Sequence, residues 1–186
     1  MTVEAIQNKE KIGELYRSLG DYHPKYALIF KFGINTGLKI SDIILLKVSD
    51  ICNKNFQICD SFLLREKATG KEKRILLNDT LKNVLKEYLS LQKLGIDEYL
   101  FPSQKGSAIG RIQVYRVLKE AATKVGIENF GTHSLRKTWG YWMYRLSANN
   151  LPVIMERFNH TSPSATLRYI GIDPKKENLP SDMVQL

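Results

Sequence analysis

The 186-residue chain is long enough for one domain with a sound hydrophobic core, and its 43% hydrophobic and 25% charged residues indicate a globular protein rather than a disordered one. Lysine and arginine exceed aspartate and glutamate by 28 to 19, and the resulting net charge of +9 favours a polyanionic partner, with nucleic acid as the first candidate. No apolar run reaches the ~18 residues needed to span a bilayer, and residues 1–10 are too polar for a signal peptide. We therefore expect a cytoplasmic protein without a membrane partner.

Helical periodicity dominates the first 46 residues. Residues 3–19 repeat apolar side chains at helical spacing, and Gly20 is expected to end this helix. Residues 26–36 are almost continuously apolar, which predicts a buried helix ended by Gly37. Residues 38–46 predict a further helix, with Lys39 and Asp42 on one face.

Between residues 49 and 78 the pattern changes to that of strands, and a three-stranded antiparallel sheet is the expected result. Residues 69–70 form the predicted turn between two of the strands. Cations crowd this hairpin, and for three of them a solvated face and contacts to DNA phosphates both remain open. These three are Lys71, Lys73 and Arg74.

Two cysteines, Cys52 and Cys59, fall in the same part of the chain, without a histidine or a second cysteine pair nearby. Two thiols alone do not make a zinc site, so we interpret them as reduced and structural. We expect neither a metal ion nor a cofactor.

Two helices follow the predicted sheet. The first begins at Asn78 or Asp79 and runs to about residue 94, with an apolar inner face. After a loop over residues 104–110, residues 112–125 predict a helix whose outer side carries Arg111 and Arg116. This outer side suits either solvent or DNA. The whole pattern predicts a mostly helical α+β domain.

Four polar groups stand out among the apolar residues of the C-terminal part. His133 and Arg136 are three residues apart and would project from one face of a helix that continues to residue 146, where Trp139 and Trp142 fit a core better than a base-stacking platform. His160 precedes a helix start at Ser162, and a tyrosine, Tyr169, lies about two turns into that helix. A phenol needs a base and an electrophile whose charge is shared by cations, and a phosphodiester held by arginine and histidine meets that need.

His133-x-x-Arg136, then Asn159-His160-Thr161-Ser162, then a tyrosine nine residues after His160, resembles the C-terminal signature of the tyrosine recombinases, the phage-integrase family. The resemblance covers nearly the entire chain. It implies a recombinase catalytic domain over residues 1–172 and a tail over residues 173–186 that contacts a neighbouring protomer. It also implies double-stranded DNA as the partner and a homo-oligomer assembled on that DNA.

The resemblance also implies a role for each polar group. Tyr169 would attack a DNA phosphate to form a 3′-phosphotyrosyl link, and His133 would manage its proton. Three residues would hold the non-bridging oxygens, namely Arg136, His160 and Lys39. The hairpin Lys67 would protonate the departing 5′ oxygen, with Lys71 as the alternative if the register differs.

Two departures from the family pattern weaken the expected activity. Asn35-Thr36-Gly37-Leu38 and Asp42 fit the family's first arginine box, but Lys39 stands where the arginine belongs. An ammonium cannot form the two parallel hydrogen bonds of a guanidinium, and losing one such donor costs ~10² to 10³ in rate at an oxyanion site. The family's N-terminal core-binding module, which clamps the other side of the DNA, is also missing from the chain. We therefore expect weak DNA affinity, and we interpret the chain as a fragment, a natural minimal form or a protein that needs a helper DNA-binding protein.

Two rival functions remain open at this point. The fold could serve a catalytically silent DNA-binding or regulatory protein, although Tyr169 and both site histidines argue against this. Alternatively, the domain could nick and reseal DNA without exchanging partners, as type IB topoisomerases do.

Overall fold

The structure, a computed structural model, describes residues 3–65, 70–147 and 150–174. Nine helices and two strands are found in these ranges. In chain order they are α1 (Lys9–Tyr22), α2 (Pro24–Thr36), α3 (Ile40–Ile43), α4 (Val48–Ile51), β1 (Ser61–Arg65), β2 (Glu72–Leu76), α5 (Asp79–Gln92), α6 (Arg111–Lys124), α7 (Ser134–Leu146), α8 (Leu151–Phe158) and α9 (Pro163–Tyr169). None of the helices in the described ranges is long and apolar enough to cross a bilayer.

Helix α2 is the centre of the fold, as its continuous apolar sequence predicted. It packs against α1, α5, α6 and α7, and its side chains are buried on almost every face. Leu28, Ile29, Phe30 and Phe32 are each fully buried. Since every surrounding helix rests on α2, the position of its C-terminal end determines where the neighbouring loop and Lys39 lie.

A second, smaller hydrophobic cluster lies where α7, α8 and α9 meet. It contains Trp139, Tyr144, Ile154, Phe158, Leu167, Ile170 and Ile172. The expectation that Trp139 belongs to the core is confirmed, because its side chain is buried and its ring lies 5.5 Å from that of Phe158. Trp142 is only partly buried, and its indole N–H donates to the Ile6 carbonyl at 3.0 Å. This cluster holds the last two helices against α7.

The described sheet has two strands, so the prediction of a third strand is wrong. Strands β1 and β2 pair antiparallel from Ser61 opposite Leu76 to Arg65 opposite Glu72. The segment expected as the third strand instead folds into a turn, because the Asn53 side chain accepts hydrogen bonds from the backbone N–H groups of Asn55 and Gln57. A local side-chain bond of this kind competes with strand pairing.

The prediction of one helix over residues 38–46 is also wrong, because α3 spans only Ile40–Ile43. The backbone after α3 pairs with a distant segment, with the Leu100 N–H donating to the Leu46 carbonyl and the Val48 N–H donating to the Glu98 carbonyl. Tertiary pairing therefore overrides the local helical pattern at this point.

Helix α1 begins later and ends later than predicted. Asn8 is its N-cap, and the residues before it are extended, with the Ile6 N–H donating to the Thr138 hydroxyl at 2.8 Å. Gly20 lies inside the helix, which runs on to Tyr22. The extended N-terminal segment packs against α7, a contact between residues 132 positions apart in sequence.

We predict that Gly37→Ala destabilises the fold more than an ordinary glycine substitution. Gly37 caps α2 with φ of +68°, and an added Cβ would lie 2.5 Å from Cε3 of the buried Trp139. The left-handed backbone costs an alanine about 1 to 2 kcal/mol, and overpacking typically adds about 1 to 3 kcal/mol. The free energy of unfolding, measured by urea titration, should fall by both contributions.

Gly126→Ala is the matched control for this prediction. Gly126 has φ of +70° but no atom within 4 Å of the added Cβ, so only the backbone contribution should be lost. Equal losses in the two variants would show that Gly37 and Trp139 are not in close contact.

Candidate active site

The tyrosine and the first histidine of the sequence motif meet directly. Tyr169 is the last residue of α9, and its hydroxyl lies 3.2 Å from Nδ1 of His133, the residue before α7. Helix α9 begins as predicted, with Pro163 in its first turn and the Ser162 hydroxyl accepting from the Ala165 N–H. The phenol is thus within hydrogen-bonding distance of a potential proton acceptor.

Arg136 is the buried cation of the site. Its side chain is only 5% exposed, and it donates to the carbonyls of Gly37 at 2.5 Å and Arg157 at 3.0 Å. Its guanidinium lies over the ring of Phe158, 4.4 Å from the ring centroid. Its charge also acts on Tyr169, where it opposes the rise in the pKa of the phenol that burial causes. This one side chain therefore joins the end of α2, the end of α8 and the nucleophile candidate.

His160 lies on the other side of the phenol ring. The His160 and Tyr169 ring centroids are 5.2 Å apart at an edge-on angle of 87°, and Nδ1 of His160 lies 3.1 Å from the Thr166 hydroxyl. The preceding residue, Asn159, caps α8 in the left-handed conformation with φ of 57°. The structure thus brings together four predicted site residues, with His133, His160 and Arg136 around Tyr169.

Lys39 faces a small pocket next to these groups. The pocket has a volume of about 100 Å³ and is lined by Lys39, Ile40, Ser41, Arg111, Thr132, His133 and Arg136. Of these seven described residues none is acidic. A pocket of this size with three permanent cations and hydroxyl groups suits a small anion such as a phosphate group.

The cations and the burial shift the titration of the site. Burial first, and then the charges of Arg136, Lys137 and Lys39, lower the pKa of His133. Burial and the charge of Arg136 likewise lower the pKa of His160. Burial raises the pKa of Tyr169, although the charge and the hydrogen bond of Arg136 oppose the rise. Near neutral pH both imidazoles are therefore neutral, and the phenol keeps its proton.

The hairpin cations lie in different environments. The Lys73 ammonium donates to the Glu156 carbonyl at 3.0 Å, the Arg157 carbonyl at 3.2 Å and the Asn159 side-chain oxygen at 2.9 Å. It therefore ties β2 to the end of α8, a placement different from the solvated face weighed in the sequence. Arg74 is exposed and its Nε donates to the Ser61 hydroxyl at 2.9 Å.

The remaining predicted cations lie on the hairpin and on α6. Lys71 is exposed next to β2, and Arg116 is exposed on α6. Lys67, the predicted proton donor, lies outside the described residues.

Two further side chains at the site were missed by sequence reasoning. The Lys137 ammonium lies over the Tyr169 ring, 4.8 Å from its centroid, and donates to the Val3 carbonyl. Arg157 donates from its guanidinium to the Thr36 carbonyl at 2.7 Å, next to the carbonyl that Arg136 binds. Neither falls in the sequence motif, and only the packing of distant segments reveals them.

A tyrosine held against a base, beside a pocket lined by cations, is an arrangement that suits phosphoryl transfer to a protein side chain. The model of the phage integrase family matches residues 8–176. The chain belongs to this family, the tyrosine recombinases.

Similar proteins agree with this assignment. "Probable integrase/recombinase YoeC" of Bacillus subtilis (strain 168) is 42% identical over 172 residues, which cover 92% of this chain and 91% of that protein. "Tyrosine recombinase XerH" of Campylobacter jejuni is 29% identical over 166 residues, covering 85% of this chain but only 44% of that protein. The chain thus spans nearly all of the first relative and less than half of the second.

Solved structures share the fold. XerH site-specific recombinase, in a post-cleavage complex with a palindromic difH substrate, has a TM-score of 0.74 at 21% identity, covering 98% of this chain and 52% of that one. XerA recombinase has a TM-score of 0.73 at 19% identity and covers 94% of this chain and 63% of that one. The mostly helical architecture with a small antiparallel sheet is that of a recombinase catalytic domain.

We predict that His133 and His160 reduce stability in acid. Because their pKa values are lowered in the folded protein, the unfolded chain binds protons more readily once the pH falls below the usual histidine pKa of ~6.5. The free energy of unfolding should fall from that pH down to the folded pKa values and show no further loss from these groups below them. Urea titrations at several pH values, with NMR titration of the histidine rings, measure both quantities. A His133 pKa above the usual value would contradict the geometry of the site.

Proposed function

We propose that the protein is a site-specific DNA recombinase or integrase that cuts and rejoins DNA through a 3′-phosphotyrosyl intermediate. The observation that carries this proposal is the Tyr169 hydroxyl, 3.2 Å from Nδ1 of His133, beside a pocket that is lined by Lys39, Arg111 and Arg136. The substrate is double-stranded DNA, with a backbone phosphate in the pocket.

The reaction uses two displacements at phosphorus. In the first, the Tyr169 oxygen bonds to phosphorus, its proton moves to Nδ1 of His133, and the bond from phosphorus to the 5′ oxygen breaks. Arg136, His160 and Lys39 bind the non-bridging oxygens, where negative charge increases in the transition state. In the second, the oxygen of a 5′ hydroxyl from a partner strand bonds to phosphorus, and its proton goes to the group that protonated the departing 5′ oxygen in the first step. The bond from phosphorus to the Tyr169 oxygen breaks, and His133 returns its proton to that oxygen. The phosphoester bond is conserved, so the rejoining step needs no external energy.

The departing 5′ oxygen needs a proton of its own. Family resemblance gives this role to Lys67, on the hairpin between β1 and β2, with Lys71 as the alternative. The described hairpin supports this in one respect: Lys73 attaches β2 to the residues just before His160, which brings the hairpin to the active-site side of the molecule.

The exposed side of α6 extends the site along a surface suited to DNA. Arg111 lines the phosphate pocket and also a neighbouring groove of about 310 Å³ that contains Ile112, Tyr115 and Thr132. Ile112 is 80% exposed, an unusual position for a large apolar residue. With Arg116 on the same helix, this surface offers cations for phosphates and apolar groups for sugars or bases. Lys71 and Arg74 would add contacts from the hairpin, whereas the three donors of Lys73 are already bound to Glu156, Arg157 and Asn159.

Recombination by this route brings two duplexes together, so we also propose a homo-oligomer assembled on DNA. Among proteins of the same fold, lambda integrase has been crystallised as a dimer bound to a core site and as a tetramer bound to a Holliday junction. A helper DNA-binding protein that contacts the same DNA is part of this proposal. The tail over residues 173–186 is the candidate contact between protomers.

We predict that Tyr169→Phe abolishes covalent attachment to DNA while leaving DNA binding intact. The substitution removes the hydroxyl that attacks phosphorus and keeps the ring that packs between Phe158 and His160. A nicked suicide duplex, incubated with the protein and run on a denaturing gel, measures the covalent product.

The same experiment also tests the rival function, that of a catalytically silent DNA-binding regulator. It rests on Lys39 in place of the arginine, so Lys39→Arg is included. If DNA binding persists but neither the natural protein nor Lys39→Arg forms a covalent product on a cognate site, the protein is a DNA-binding regulator. Covalent product with resealing of the same duplex alone would indicate a nicking and resealing enzyme.

We predict that the cleavage rate increases with pH to a plateau and that the midpoint of this increase lies below ~6.5, the usual pKa of histidine. His133 must be neutral to accept the Tyr169 proton, and its lowered pKa keeps it neutral down to more acidic pH. His133→Gln should lower the plateau rate by ~10² to 10⁴ and remove the acid limb. Single-turnover rates on the suicide duplex provide the profile. An unchanged profile in His133→Gln would assign the proton to another group.

A further inference from the structure

Arg111 occupies a place in the pocket that its sequence position does not suggest. It is the first residue of α6, and it lines the same pocket as Lys39, His133 and Arg136, although it is 72 residues from Lys39 in sequence. Among the described residues, neither its side chain nor that of Lys39 has a hydrogen-bond or ion-pair partner. Both cations are therefore available to an anion in the pocket.

Arg136 cannot offer its whole guanidinium to that anion. One of its terminal nitrogens donates to the Gly37 carbonyl and the other to the Arg157 carbonyl. Lys39 contributes a point charge on a flexible stem rather than two donors in a plane. The pocket thus has sufficient positive charge, but the residues considered so far lack an uncommitted planar pair of donors for a phosphate.

We propose that the Arg111 guanidinium supplies this pair and binds a non-bridging oxygen of the phosphate in place of the arginine that Lys39 replaces. The inference rests on the proposed function, and it makes Arg111 a residue that contacts the reacting phosphate rather than a general DNA-binding cation. Arg111 and Lys39 then both bind the non-bridging oxygens. The loss of rate caused by substituting one of them therefore depends on which residue stands at the position of the other.

The interdependence can be measured by a double-mutant cycle on the cleavage rate at saturating DNA. Arg111→Lys should lower the rate by ~10²-fold in the natural protein, as for the loss of one oxyanion donor. In Lys39→Arg the same substitution should cost only a few-fold, because a guanidinium at position 39 already provides the planar donors. Equal factors in the two backgrounds, or no effect in either, would overturn the proposal.

Arg116→Lys is the matched comparison. Arg116 lies on the exposed side of the same helix but does not line the pocket. Its substitution should weaken DNA binding by the same small factor in the natural protein and in Lys39→Arg, because a distant phosphate contact adds independently. Thermal unfolding of every variant identifies any loss of rate that arises from loss of fold. The effect of Arg116→Lys should not depend on the residue at position 39. If it depends on that residue as strongly as the effect of Arg111→Lys does, the assignment to Arg111 is overturned.

A binding measurement without DNA separates this proposal from the proposed function. Inorganic phosphate is titrated into the protein while the NMR signals of the His133 and His160 rings are followed. Arg111→Lys should weaken phosphate binding ~10-fold in the natural protein and less in Lys39→Arg. If this holds while no covalent DNA product forms, recombinase activity is refuted and Arg111 remains an anion ligand. If phosphate leaves the His133 signals unchanged, the pocket is not a phosphate site and the proposal fails.

Discussion

The buried guanidinium of Arg136 is the interaction on which the site depends. Arg136 of α7 binds the carbonyls of Gly37 and Arg157, packs over Phe158, and its charge acts on Tyr169. The ends of α2, α8 and α9 therefore all lie against one side chain. Burial of a cation is costly unless its donors are satisfied, and a buried carbonyl left without a donor costs about 1 to 3 kcal/mol. The segments that surround Arg136 are therefore held in an arrangement that satisfies both the donors of the guanidinium and the carbonyls of Gly37 and Arg157. The charge that binds these carbonyls is the same charge that acts on the Tyr169 phenol.

The second histidine is positioned through a chain of such contacts. Arg136 and Lys73 both donate to the Arg157 carbonyl, and Lys73 also binds the Asn159 side chain, at the residue immediately before His160. Asn159 can adopt the left-handed conformation of a helix end, and its amide oxygen gives Lys73 an additional acceptor. The end of α8 is thus bound both by Lys73 of β2 and by Arg136 of α7. His160 can meet the edge of Tyr169 reproducibly only because this turn is fixed.

The sequence predicted the parts of the fold that depend on local patterns, and it failed where distant segments intervene. Helix α2 and the start of α9 follow from an apolar run and from a Ser-Pro cap, which are properties of neighbouring residues. The third strand and the long helix after Gly37 were wrong, because the Asn53 turn and the pairing of residues 46–48 with residues 98–100 replace them. The motif spacing identified the four groups that meet at Tyr169, since family resemblance carries tertiary information. It could not identify Lys137 or Arg157, whose roles arise only from packing.

Lys39 illustrates the same distinction at the level of chemistry. From the sequence, its presence in the arginine box indicates a site with the right charge and the wrong donor geometry. In the folded protein, charge and geometry need not come from the same residue, because the start of α6 places the Arg111 guanidinium at the same pocket. A cation is attracted to a phosphate from any direction, but a planar pair of donors must approach in the plane of two oxygens. Whether a lysine in this position weakens the site therefore depends on what the rest of the fold brings beside it, and here that neighbour is an arginine without another partner among the described residues.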